Sequence, residues 1–164
     1  SMHRPWSCCR GRASDYGIDP QKIGVIGFSA GAYLAVNISN TDERTYAPTD
    51  AADRQSPRPD FAIVAYTGRV WDPSQGRNHL ALAPWVEVSA NAPPTLLIHS
   101  MDDSVNNVRH PMAYALALND AGVPVDIRFY AKGGHAFGMR PTEDPITIEW
   151  PDQVRQWLQG LGVL

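Results

Sequence analysis

The chain has 164 residues, of which 43% are hydrophobic and 19% charged, the proportions of one globular domain with a sizeable core. A formal charge of −3 without any basic stripe argues against nucleic acid or an anionic membrane surface as a partner. No apolar run approaches the roughly 20 residues of a membrane span, and the amino terminus lacks the apolar stretch of a secretory signal; the chain as it stands reads as cytoplasmic, with secretion or a periplasmic location left open for a start further upstream.

Residues 1–12 (SMHRPWSCCRGR) show no clear period and are expected to be an irregular leader ahead of a domain over residues 13–164. Ser1 before Met2 reads as the remnant of a cleaved tag. Cys8 and Cys9 are the only cysteines and are adjacent. Neighbouring cysteines rarely bridge each other, and two sulfurs without further ligands make no zinc site, so free thiols and no metal are expected. Gly17 falls where a left-handed cap would end a turn.

Residues 23–28 form a short apolar run bounded by turn signals, which predicts a buried strand. A small-residue helix over 30–40 follows, with Leu34, Ala35 and Ile38 on one face. Residues 41–59 are polar and punctuated by proline, a loop with room for one short helix. The run 61–66 (FAIVAY) is the second strand. Residues 67–94 are a long connection holding Trp71 and Trp85, with a short helix expected near 79–82. The third strand is 95–99 (TLLIH), and a helix over 111–121 follows, with Met112, Ala115, Leu116 and Asn119 at helical spacing. The fourth strand is 125–130 (VDIRFY), and a last helix over 151–160 carries the stripe Val154, Trp157, Leu158, Leu161. Strands alternating with helices predict an α/β fold, a parallel sheet with flanking helices, whose ligands bind beyond the carboxyl ends of the strands.

Three of those carboxyl-end loops carry reactive side chains. The first is Gly27-Phe28-Ser29-Ala30-Gly31, a G-x-S-x-G pentapeptide between a strand and a helix, the setting in which a serine projects from a sharp elbow above a helix amino terminus. Gly27 and Gly31 are expected at positions where a larger side chain would collide. The second loop carries Asp102 and Asp103, and the third carries His135 between Gly133-Gly134 and Ala136-Phe137-Gly138. A serine hydroxyl needs a base to remove its proton, and an imidazole needs a carboxylate to hold its tautomer; Ser29, acid and His135 occur in that chain order. Asp103 is favoured over Asp102, with Val105 expected to pack back onto the loop and Asp102 to point away. His99 reads as a strand residue of the core, and His3, His79 and His110 as structural or solvated. The N–H of Ala30 is the expected oxyanion donor, with no second donor recognisable before Ser29. Phe28, Trp71, Trp85 and Phe137 are candidates to line an acyl or sugar pocket.

The segments GIDPQKIGVIGFSAGAYLAV, PPTLLIHSMDDSV, DAGVPVDIRFYAKGGHAFG and WPDQVRQWLQGLG resemble the carboxyl-terminal half of α/β-hydrolase fold esterases, nearest the acetyl-esterase and acetyl-xylan-esterase-like branch. The resemblance spans residues 15–164. It implies Ser29 as nucleophile, Asp103 as orienting acid and His135 as general base, acting without a cofactor on short acyl esters such as acetylated sugars. It also implies that only the equivalents of strands five to eight are present, so that the first strand has an open edge. Such an edge is expected to recruit a second copy, giving a homo-oligomer, a dimer first of all, whose partner could supply the missing oxyanion donor. Two other readings stand beside the esterase: a weak or inert truncated hydrolase that oligomerises through that edge, and, least favoured, a peptidase of the prolyl-oligopeptidase type.

Overall fold

The computed structural model describes residues 4–44, 46–140 and 143–164. Four strands form one sheet in sequential order: β1 (Val25–Phe28), β2 (Ala62–Ala65), β3 (Thr95–Ser100) and β4 (Val125–Tyr130). All three pairings are parallel, in registers such as Val25 with Ala62, Ala62 with Thr95 and Thr95 with Val125. The α-helices are α1 (Arg4–Gly11), α2 (Ala30–Ser39), α3 (Arg109–Asp120) and α4 (Pro145–Gly160). This is the α/β-hydrolase-like arrangement, a parallel sheet flanked by helices.

Strand residues alternate between two cores. Val64 and Leu97 point to one face, where they pack with Ala32, Val36, Tyr114 and Leu118 of α2 and α3. Ile63, Ala65, Leu96 and Ile98 point to the other, against Ile146, Trp150 and Trp157 of α4. Because both faces are covered, every residue of β2 and β3 is buried, which is why those segments read as unbroken apolar runs rather than alternating ones. β1 lies at the edge of the sheet with Ile26 46% exposed.

Several expectations are corrected. The leader is not irregular: Arg4–Gly11 is a helix, and its anchors are polar, so hydrophobic periodicity does not reveal it. Arg10 donates to Asp60 Oδ2 at 2.9 Å and to the Arg58 carbonyl at 2.8 Å, while Ser7 is wholly buried. Cys8 and Cys9 in this helix are free thiols. Ser1, Met2 and His3 lie outside the described residues. Residues 79–82 are not helical; the connection holds instead a 3-10 turn at Pro73–Gln75 and a bridge between Trp71 and Leu82. No α-helix therefore separates β2 from β3.

Helix faces are also shifted. Leu34 is 41% exposed while Ala32, Ala35, Val36 and Ile38 are buried. In α3 the buried face is Pro111, Tyr114, Ala115 and Leu118, and Leu116 turns outward. The last helix starts at Pro145, with Pro151 inside it. Trp157 is buried as expected, Val154 and Leu158 pack partly, and Leu161 lies past the helix end and is exposed. The 3-10 turn Ala13–Tyr16 ends on Gly17 at φ 65°, as its position in the sequence suggests.

Candidate active site

The elbow after β1 is tightly constrained. A Cβ on Gly27 would sit 2.3 Å from the Gly31 carbonyl oxygen and 2.8 Å from the Ala32 Cα, so only glycine allows strand and helix to cross here. Gly31 is different: an added Cβ meets nothing within 4 Å, and the expected collision does not exist there. Ser29 takes φ 53° and ψ −115°, a conformation costly for a residue with a side chain and common at sites where geometry serves chemistry. Its own N–H donates to the Ala65 carbonyl at 3.0 Å, tying the elbow to the end of β2. The next N–H, that of Ala30, opens α2 and has no partner among the described residues.

Ser29, His135 and Asp103 meet although they are far apart in sequence. Ser29 Oγ lies 3.0 Å from His135 Nε2, and His135 Nδ1 lies 2.8 Å from Asp103 Oδ2. The other oxygen of Asp103 accepts N–H bonds from Val105 and Asn106, each at 2.8 Å. The carboxylate side chain is wholly buried, so these bonds stand in for water. Val105 holds the loop through its N–H rather than by packing, since its side chain is 68% exposed.

Asp102 turns the other way. It accepts from the Ser100 hydroxyl and, at 2.8 Å, from the N–H of Gly134, and these bonds keep its carboxyl below the usual carboxylate range. His99 is fully buried behind Asp103, with Nε2 2.9 Å from the Asn106 carbonyl oxygen and 3.6 Å from Asp103 Oδ2; burial pushes its pKa down. His110 Nδ1 accepts the N–H groups of Val70 and Trp71, and His79 caps the Trp71 indole N–H through its carbonyl, so both are structural.

The hollow beside Ser29 holds about 140 Å³ and is walled by Ala30, Tyr33, Gly68, Arg69 and Asn106. Sequence reasoning missed the last four. The signal was present in part: Gly68 and Arg69 follow the carboxyl end of β2, where sheets of this kind place ligands. Asn106 Nδ2 donates to the Tyr66 carbonyl at 2.8 Å, joining the loops after β2 and β3. Tyr66, at φ 41°, stands edge-on to His135 with ring centroids 5.1 Å apart.

Of the four expected pocket residues, two belong to the packing instead. Trp71 is buried against His110, and Phe137 is buried between Tyr66 and Trp150. Phe28 is half-buried against Tyr66 and Trp150 and is not part of the wall. Trp85 alone is 57% exposed, and its indole N–H donates to the Arg69 carbonyl at 2.9 Å.

The sequence profile of the prolyl oligopeptidase family matches residues 7–160. Among solved structures, the acetyl ester-xyloside bifunctional hydrolase from Caldicellulosiruptor lactoaceticus superposes with a TM-score of 0.83 at 27% identity, covering 99% of this chain and 65% of that one. Esterase Est2 of Thermogutta terrifontis, in its butyrate-bound form, gives a TM-score of 0.78 at 20% identity, covering 99% and 65%; at that identity the likeness is one of fold. Among curated proteins, endo-1,4-beta-xylanase B of Butyrivibrio fibrisolvens is 29% identical over 159 residues, which are 86% of this chain and 24% of the xylanase. The chain thus spans less than two thirds of the length of these relatives.

Proposed function

The chain belongs to the prolyl oligopeptidase family, and from that membership we propose that it is a serine hydrolase of short-chain carboxylic esters, acetyl esters of sugars foremost. The observation that carries the reading is the unbroken relay from Ser29 through His135 to Asp103, with steps of 3.0 and 2.8 Å. The likeness to an acetyl ester-xyloside hydrolase and to a xylanase favours a sugar ester.

In this proposal the Ser29 hydroxyl attacks the ester carbonyl as His135 Nε2 takes its proton. Asp103 accepts from Nδ1–H and stabilises the imidazolium that forms. The carbonyl oxygen becomes an oxyanion facing the Ala30 N–H at the positive end of α2. Collapse breaks the ester C–O bond, His135 returns the proton to the departing alcohol, and an acyl-Ser29 remains. Water, deprotonated by His135, then attacks the acyl carbon and releases the acid and the free serine. Each oxyanion donor contributes about 3–4 kcal/mol to such a transition state. We assign the second donor to a partner copy paired along the open edge of β1, where Ile26 and Leu34 are exposed beside Trp6.

The test is hydrolysis of p-nitrophenyl acetate by the wild-type chain beside Ser29→Ala. The variant is expected to lose at least about a thousandfold in kcat/KM; equal rates would refute the assignment. The family match also favours a second reading, a peptidase, which would show as faster cleavage of a prolyl p-nitroanilide than of the acetyl ester.

A further inference from the structure

A second and larger hollow, of about 390 Å³, lies along α2 beyond the one at Ser29. Two observations join them. Tyr33 lines the first and Asn37 the second, and at a spacing of four residues they occupy the same face of α2. Arg69 lines the first and Trp85 the second, and the Trp85 indole N–H is bonded to the Arg69 carbonyl. The two hollows therefore lie end to end along one face of α2, whose 10 residues span about 15 Å at the helical rise per residue. That length suits a short chain of rings rather than an acyl group.

The larger hollow is lined by one aromatic ring and by polar side chains. With its N–H fixed on Arg69, the Trp85 ring has a set orientation and a face open to solvent. Part of the opposite wall is already braced: Asn40 Nδ2 donates to the Tyr114 hydroxyl and to the Val36 carbonyl, and Asp42 accepts from Ser89 and Arg58. Two polar groups there make no hydrogen bond among the described residues, the Asn37 amide and the exposed Glu87 carboxylate. An amide that donates and accepts, a carboxylate that accepts, and an aromatic face in the same hollow match ring hydroxyls and an apolar C–H face. Asp42 and Glu87 repel an anion, Arg58 is paired with Asp42, and the Arg69 guanidinium lies over the Tyr33 ring.

We propose that this hollow is the subsite for the alcohol portion of the substrate, a neutral pyranose unit of a short oligosaccharide stacked on Trp85 and bonded to Asn37 and Glu87. Its place as the leaving-group side rests on the ester hydrolase reading above; saccharide binding itself does not.

Isothermal titration of the full chain carrying Ser29→Ala with xylotetraose, and separately with cellotetraose, tests it. Binding of at least one tetrasaccharide is expected, weakened at least about tenfold when Trp85→Ala is added and severalfold with Glu87→Gln, both checked for an unchanged circular dichroism spectrum and melting point. Glu87 is exposed, so that variant keeps the test alive if Trp85→Ala fails to fold. No heat at about 10 mM saccharide, or binding that neither variant alters, overturns the inference, whatever the rate on p-nitrophenyl acetate. Binding lost in these variants, in a protein that fails to hydrolyse the acetyl ester, keeps the subsite while overturning the esterase reading.

Discussion

Gly134 N–H donates to Asp102 Oδ1 at 2.8 Å, one residue before the histidine whose Nδ1 meets Asp103. Adjacent aspartates at the end of β3 thus divide the work: Asp103 engages the His135 ring, and Asp102 holds the backbone that presents it. The loop can supply both because successive side chains leave the strand end in different directions.

The two aspartates should separate on substitution. Asp103→Asn is expected to lower kcat on p-nitrophenyl acetate by about 10³–10⁴-fold, because the amide no longer fixes the tautomer or balances the imidazolium. Asp102→Asn keeps an oxygen for the Gly134 N–H and should cost less than about tenfold. Steady-state kinetics of both variants decide the matter, and the reverse order would exchange the roles.

Gly27 and Gly31 should separate just as clearly. In Gly27→Ala the new Cβ meets backbone atoms of Gly31 and Ala32, which have no rotamer to yield. A loss of about 3 kcal/mol or more is expected, seen as a melting point lower by roughly 6–12 °C. Gly31→Ala enters open space in the first turn of α2 and should leave the melting point unchanged or slightly raised. Equal effects in the two variants would contradict the elbow geometry.

Acid should weaken the loop after β2. His110 Nδ1 must be unprotonated to accept from Val70 and Trp71, and burial, opposed by Asp103, holds its pKa below the ordinary 6.5. Its folded-state pKa is lower than its unfolded one, so the stabilisation is complete above about pH 6.5 and is lost as pH falls through the folded value. Melting points measured from about pH 7 down to about pH 5 should fall less steeply in His110→Asn, whose amide oxygen accepts but does not titrate. Parallel curves would show that another group sets the slope.

The open edge of β1 should be visible in solution. Light scattering behind size exclusion is expected to give a dimer at micromolar concentration, shifting toward monomer in Ile26→Lys, a charge placed on the exposed edge. A wild-type chain that elutes as a stable monomer would refute the pairing, and with it the partner as source of the second oxyanion donor.

Local pattern alone identified the four strands, the helices after β1, β3 and β4, and the loops bearing Ser29, Asp103 and His135. Each of those signals is short-range: an apolar run, a glycine at an elbow, a polar residue at a strand end. Helix α1 escaped because Arg10 finds its partner in Asp60, a contact between residues 50 apart that leaves no periodic trace. The shifted faces of α2 and α3 have the same origin, since β1 and β2 decide which side of α2 is covered, and β3 and β4 which side of α3. Tertiary structure alone assigned Trp71 and Phe137 to the packing, left Trp85 exposed, and brought Ser29 and His135 within 3.0 Å across 106 residues. Sequence determined which chemical groups sit at the carboxyl ends of the strands. Only the folded sheet, by setting the distances and the burial between those loops, decided which of them touch and which of two neighbouring carboxylates faces the imidazole.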